Sequence, residues 1–305
     1  MNDSTTTTSC PICGHTTSAV VFKKYDFNLA RCQQCQTLHV SPMPSDETLQ
    51  AHYQNPAYYC GDEDQGYRNY DDTRRALWPH LKRRLRTLNQ LVPARGSVLD
   101  FGCAAGFFLE VARADGWQIA GVELATEMAQ RASQTLGIPI ANSLTDIGER
   151  AFEAITLWEV IEHLPRPVEE LRRLYARLKP NGVLMLSTPN NGHWQALREP
   201  DEWLAYRPPS HLFYFTAATL RDALTRAGFE RVSVQRVSPL PPLPAWLRRV
   251  STPLQRSLIN AEASNWALAL WMWRAIRVMG WGWQKIAHRH DDIFMTLEAI
   301  AFRHH

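Results

Sequence analysis

From Ser97 onward, short apolar runs alternate with stretches whose apolar residues recur every three or four positions. This pattern predicts strands over 97–101, 117–122, 138–142, 153–158, 182–187 and 230–237, and helices over 107–115, 125–136, 167–178 and 217–227. Strand–helix alternation of this kind specifies a parallel sheet with helices on both faces, whose ligands bind at the carboxyl ends of the strands. Ahead of it, Leu77, Leu81, Leu85, Leu88 and Val92 share one face of a predicted helix over 72–92. Residues 42–70, with Tyr53, Tyr58, Tyr59, Tyr67 and Tyr70, read as a connector of little regular structure that packs across the ligand mouth.

The first strand carries the strongest chemical signal. Ser97-Val-Leu-Asp-Phe runs into Gly102-Cys-Ala-Ala-Gly106 and then into a helix. Gly102 and Gly106 let the backbone approach a ligand closely, and the free N–H groups of the helix start face it. The next strand ends in Glu123, about 20 residues beyond the first glycine, where such folds place the acid that holds ribose hydroxyls. A ribose-bearing ligand follows. The turn lacks a Gly-x-Gly pair, which argues against a dinucleotide.

Leu99-Asp-Phe-Gly-Cys-Ala-Ala-Gly-Phe-Phe-Leu109 with Gly121-Val-Glu-Leu124 resembles the first two motifs of class I S-adenosylmethionine (SAM) dependent methyltransferases, with Ala104 where glycine is commoner. Trp158-Glu-Val-Ile-Glu-His-Leu-Pro-Arg-Pro167 and Leu178-Lys-Pro-Asn-Gly-Val-Leu-Met-Leu-Ser-Thr-Pro-Asn190 are similar to the later motifs of that family. Pro208-Pro-Ser-His-Leu-Phe-Tyr-Phe-Thr216 resembles a subgroup among bacterial cell-envelope and sugar-modifying methyltransferases. The resemblance implies an α/β, Rossmann-like doubly wound sheet whose last strand, 292–302, returns antiparallel beside 230–237. It implies that Glu123 binds the ribose and that Asp100 orients the turn of Gly102, Ala104 and Gly106 or the methionine ammonium. Leu124, Ser143 and Leu144 would contact the adenine, while Trp158 and Glu159 would face the methionine end. His211, and after it His163, are the candidate catalytic bases, because a histidine exchanges protons near neutral pH. Related sugar C-methyltransferases usually carry glutamate where Ser210 stands, so an O- or N-acceptor is at least as compatible.

Cys10-x2-Cys13 and Cys32-x2-Cys35, eighteen residues apart, have the spacing of a four-thiolate zinc site. Four thiolates leave no open position, so this zinc is structural, and it supports a small N-terminal ribbon-like lobe built on a hairpin. Cys60 and Cys103 stand alone and read as structural.

A net charge of +3 over 305 residues implies no bulk electrostatic partner, and the lobe has few basic and aromatic residues, so no nucleic acid is expected. The polar N-terminus has no signal-peptide core, which sets a cytoplasmic expectation. Residues 239–290 form a helical insertion rich in tryptophan and arginine, opening with Pro239, Pro241, Pro242 and Pro244. Leu268, Trp271, Met272, Ala275, Ile276 and Met279 share one predicted face, with Arg274 and Arg277 turned away. This composition fits a lid, a dimer contact or an interfacial contact through 245–285 at the inner face of a membrane.

The expected organisation is a zinc lobe at 1–41, a connector and leading helix at 42–95, a SAM-binding domain at 96–238 and 291–305, and the insertion. The favoured activity is methyl transfer to a sugar or glycan acceptor, lipid-linked in one version. The alternatives are methylation of a small isoprenoid quinone or natural product, and a non-catalytic SAM-binding module.

Overall fold

A computed structural model describes residues 5–6, 9–54, 70–237, 246–247, 249–251, 253–254 and 265–304, with the side chains of 5–6, 70–76 and 266–267 excepted. Tyr58, Tyr59, Cys60 and Tyr67, and the prolines of 239–244, lie outside this set. In chain order the elements are β1 (Thr5–Thr6), β2 (Ser18–Lys24), β3 (Phe27–Cys32), β4 (Leu38–Val40), α1 (Asp46–Gln54), α2 (Tyr70–Leu91), β5 (Ser97–Phe101), α3 (Phe107–Ala114), β6 (Gln118–Val122) and α4 (Thr126–Leu136). There follow β7 (Phe152–Trp158), a 3-10 turn (Ile161–His163), α5 (Pro167–Arg177), β8 (Leu178–Pro189), α6 (Trp194–Arg198), β9 (Phe213–Tyr214), α7 (Ala217–Arg226), β10 (Glu230–Val237), α8 (Trp266–Ala287) and β11 (Thr296–Phe302).

The main sheet has the order β10-β11-β8-β7-β5-β6. β6, β5, β7 and β8 are parallel, and β11 runs antiparallel between β8 and β10. Two-residue alternation divides each central strand between two cores. Val98, Ala154, Val183 and Met185 pack with Leu81, Leu85 and Leu88 of α2 and Phe108 and Val111 of α3. Leu99, Ile155, Leu184 and Leu186 face Leu171 and Leu174 of α5 and Leu220 and Leu224 of α7. At about 25 cal/mol per Å2 of apolar surface, burial on both faces is what holds these strands.

The N-terminal lobe is a second sheet of order β1-β2-β3-β4-β9, so its last strand comes from the main domain. Leu38 and His39 pair with Tyr214 and Phe213. The lobe therefore braces the loop that leads into β9.

Three expectations change. The 138–142 run forms a single bridge, Val122 to Ala141, rather than a strand, because Pro139 removes a donor from so short a segment. The 42–70 connector contains α1, whose acidic Asp46 and Glu47 in the first turn complement the helix dipole. In α8, Ile276 turns inward onto Leu247, while Leu268, Trp271, Met272, Val278, Met279, Trp283 and Ile286 are exposed. Trp281, Gly282 and Trp283 carry the helix well past the expected face. No helix among the described residues is long and apolar enough to cross a membrane.

Candidate functional site

The site lies at the carboxyl ends of β5, β6, β7 and β8. Beyond β5 the chain takes left-handed backbone at Gly102 (φ 77°), Ala104 (φ 47°) and Gly106 (φ 78°). A Cβ at Gly102 would sit 2.6 Å from Val160 Cγ2, and one at Gly106 would sit 2.8 Å from Leu136 Cδ1, so neither position has room for a side chain. Ala104 keeps its methyl group in this strained region and donates its N–H to Glu123 Oε2 at 2.8 Å.

Glu123 ends β6 and is buried. Its other oxygen accepts the N–H of Ala125 at 2.9 Å. Burial pushes this carboxyl up, against the N–H bonds from Ala125 and Ala104 that favour its charged form. Each oxygen still has a lone pair to offer, which suits a vicinal diol. Leu124, beside it, is 51% exposed despite its apolar side chain. The segment opposite is ordered by Asn142, whose amide donates to Glu123 O, and by the Ser143 N–H, which Asp146 accepts. The Ser143 hydroxyl lies 2.7 Å from Thr145 Oγ1, and Leu144 packs half-buried against the core.

Asp100 is buried, accepts a 2.6 Å hydrogen bond from Thr156 Oγ1, and is pushed up to about 7 by burial. Trp158 has an indole N–H without a partner among the described residues, and the Arg84 guanidinium stacks 4.3 Å from its ring centroid. Glu159 sits at φ 57°, accepts from Ser187 Oγ at 2.6 Å and lies 4.0 Å from Arg84. Burial pushes its carboxyl up, although Arg84 and Ser187 oppose that. An acidic strand end with spare lone pairs, an exposed leucine next to it and an unpartnered indole N–H fit an adenosine bearing a polar tail.

The neighbouring part of the site, where the sequence reading expects the catalytic bases, is built from distant segments. Leu212 N–H donates to Glu162 O at 2.8 Å, and Val40 N–H donates to Leu212 O at 2.9 Å, so the lobe, the loop and the 3-10 turn form one hydrogen-bonded series. His163 and His211 meet edge to face, 4.8 Å between centroids. Because a carbonyl only accepts, Nδ1 of His163 donates to Ser210 O (2.7 Å) and Nδ1 of His211 donates to Ala205 O (2.8 Å). The lone pair of each ring is thereby placed on Nε2. Burial pushes His163 down to about 4 and His211 well below the usual histidine range, so both rings are neutral at neutral pH.

Five residues here had no site role in the sequence reading. Tyr53 donates to Ser210 O at 3.0 Å, and His52 Nε2 lies 2.8 Å from Ser210 Oγ. Gln54 donates to Leu124 O, which sets the end of α1 beside Glu123 and Leu124. Arg84 links Glu159 and Ser187 to Glu298. Glu162 is buried, and its carboxyl is pushed well up by burial and by the Glu159 charge. Only Glu162 had a local signal, its three-residue spacing from Glu159.

The four expected metal-site cysteines also converge. Their sulfurs lie within 4.8 Å of one another, with Cys10–Cys35 at 3.7 Å and Cys13–Cys32 at 3.5 Å. Tetrahedral zinc with bonds of about 2.3 Å separates its sulfurs by about 3.8 Å, so the cluster fits zinc. Each Cys-x2-Cys turn ends in a left-handed residue, Gly14 and Gln36.

Residues 70–234 match the model of a methyltransferase domain. The chain is 34% identical over 110 residues to a ubiquinone biosynthesis O-methyltransferase of Xanthomonas axonopodis pv. citri, a match covering 33% of this chain and 46% of that protein. The chain thus spans about half the length of the curated relatives it matches. Among solved structures, a SAM dependent methyltransferase from Archaeoglobus fulgidus is 20% identical, with TM-score 0.50 over 76% of this chain and 97% of that one. Phosphoethanolamine N-methyltransferase 2 of Haemonchus contortus, in complex with SAM, is 14% identical, with TM-score 0.53 over 93% and 71%. These two likenesses show the fold alone. With the family match spanning more than half of its length, the chain belongs to the methyltransferase-domain family.

Proposed function

We propose that this methyltransferase acts on a hydroxyl of a small isoprenoid or quinone-type acceptor. The sugar or glycan acceptor favoured from the sequence is set aside. The observation that carries the change is the run of relatives named ubiquinone biosynthesis O-methyltransferase, 32–34% identical over 102–110 residues. The outward apolar stripe of α8 supports it. Arg274 and Lys285 are exposed on this helix, which contains no acidic residue, and Trp246 and Val250 are also exposed. That composition suits an anionic membrane surface, where such an acceptor resides.

Bound SAM would supply an electrophilic methyl group on a sulfonium, which leaves as a neutral thioether and needs no acid. The protein's part is alignment and handling of the acceptor proton. In this reading Glu123 holds the ribose, Leu124 and the 142–144 segment flank the adenine, and Asp100, Trp158 and Glu159 line the methionine end. His163 and His211 stand on the acceptor side with Nε2 unprotonated.

The test supplies radiolabelled SAM with a polyprenylated catechol in anionic or zwitterionic vesicles, and with nucleotide-activated sugars. Label in the lipid extract, faster on anionic vesicles, is expected. Label only in the sugar fraction would overturn the acceptor class, and equal rates on both vesicle types would overturn the membrane contact.

A further inference from the structure

Among the described residues around the two histidines, Arg207 is a cation without a counter-charge. The arginines on neighbouring segments are paired, Arg84 with Glu298, Arg166 with Asp46 and Arg198 with Asp291. Arg207 is half-buried, and among the described residues its guanidinium forms no ion pair and makes a single hydrogen bond, from Nε to Leu204 O at 2.7 Å. That bond fixes the plane of the group. It leaves the two terminal nitrogens, a fork that suits a carboxylate or phosphate, without a protein partner. The backbone ties this arginine to His211. The Arg207 N–H and His211 Nδ1 both donate to Ala205 O, at 3.0 and 2.8 Å, and the His211 N–H donates to Arg207 O at 2.9 Å. Burial holds His211 and His163 low, and the Arg207 charge adds to that in both rings. Glu162, the carboxyl beside His163, accepts from Thr188 and does not pair with Arg207. A positive charge held partly out of water with no counter-ion costs free energy that an anionic ligand recovers.

We propose that Arg207 binds an anionic group of the acceptor, a carboxylate on its hydroxyl-bearing ring or a phosphate on its isoprenoid chain. The proposal rests on the isoprenoid or quinone-type reading above and narrows it to acceptors that carry a pair of anionic oxygens. Both sources present the same chemistry, which a guanidinium meets with two parallel N–H bonds of about 2.7–2.9 Å. A lysine here would supply the charge without the fork. Because Arg207 and His211 share one hydrogen-bonded turn, an acceptor anchored on the arginine is held beside the two imidazoles. An apolar chain gives an acceptor affinity without orientation, and one charged contact of fixed geometry supplies the orientation. Pro208 and Pro209 follow Arg207, and their fixed φ angles limit how far the loop must reorder when the anion binds. Arg207 acts by binding and orienting, and no proton or bond change is asked of it.

Two matched pairs of probes test it, on the zinc-replete full chain saturated with S-adenosylhomocysteine: 3,4-dihydroxybenzoate against 3,4-dihydroxybenzamide, and geranyl phosphate against geraniol. Calorimetry reads the binding. In at least one pair the anionic member should bind at least about tenfold more tightly than its neutral partner, and the pair that discriminates names the source of the anion. Arg207→Met should bring that ratio to within about threefold and leave the neutral member's affinity unchanged, with Arg207→Lys falling between. Melting temperature, zinc content and S-adenosylhomocysteine affinity show that each variant is folded with its donor end intact. Equal binding of charged and neutral members by the wild type, or a ratio that survives in folded Arg207→Met, overturns the anion site and leaves the acceptor class standing. Binding of none of the four probes overturns the acceptor class and the anion site with it.

Discussion

The donor end and the acceptor end lie side by side but are assembled in opposite ways. Asp100, Gly102, Ala104, Gly106, Glu123 and Leu124 fall within 25 consecutive residues, and two adjacent parallel strands, β5 and β6, carry them. The acceptor end draws Tyr53 from α1, Glu162 and His163 from the 3-10 turn, Thr188 from β8, and Ser210 and His211 from a loop braced by the lobe. One end is a local motif that any copy of the sheet will form. The other exists only when the lobe, the connector helix and the sheet are docked together, which is how one donor scaffold can serve many acceptors. Perturbations should therefore separate the two ends.

Glu123→Ala should give the largest effect. It removes both spare ribose acceptors and orphans the N–H groups of Ala104 and Ala125. Hydrogen bonds to a charged group contribute about 1.5–3 kcal/mol each, so losing two weakens S-adenosylhomocysteine binding at least about 100-fold. Calorimetric titration checks this, with zinc content serving as the readout of the untouched lobe. A loss below about tenfold would break the assignment of Glu123 to the ribose.

Zinc removal should act in the converse sense. A lobe this small depends on its metal for folding, and β4 is the partner of β9. Cys32→Ser should release the loop that carries Ser210 and His211 while leaving β5 and β6 intact. Methyl transfer should fall at least about tenfold, as a misplaced acceptor group can cost up to about 100-fold. S-adenosylhomocysteine affinity should stay within about threefold. If affinity and turnover fell together, the two ends would be one cooperative unit.

The same asymmetry decides what could be read from the residues alone. The central strands, the helices between them, the glycine turn and Glu123 were legible because each rests on local periodicity or short spacing. The four cysteines were legible because two tight turns fix their own geometry. The contact of Tyr53 with Ser210, 157 positions away in sequence, left no trace in any window. The α8 stripe was legible as apolar but the inward turn of Ile276 was not, since periodicity shows that a face is apolar without showing which way it turns. Ile276 packs inward while Trp271 and Met279 point outward. Glu162 was hidden inside a recognised motif, its burial being a property of the docked loop rather than of the turn.

The smallest effect comes from the far end of β5, where neither ligand binds, and it controls for both. Glu153 accepts from the Ser97 N–H (2.7 Å) and hydroxyl (2.6 Å) and pairs with Lys179 at 2.5 Å. Burial pushes its carboxyl up, but Lys179 and Ser97 outweigh that and hold it at about 2, against an ordinary value of 4.5. A depressed acid stabilises the fold above its unfolded value, so this contribution is complete above about pH 4.5 and is lost as pH falls toward about 2. Lys179 is half-exposed, and solvent screening leaves about 1 kcal/mol of it at neutral pH. Glu153→Gln should therefore lower the melting temperature by about 2 °C at pH 7. The gap between wild type and variant should close progressively below pH 4.5. Measuring that gap cancels the acid-driven release of zinc, which affects both proteins alike. S-adenosylhomocysteine binding should not change, because Ser97 and Gly102 stand at opposite ends of the strand. A variant that weakened donor binding would mean that strain at the closed end of the sheet reaches the open end, and the local character of the donor site would be lost.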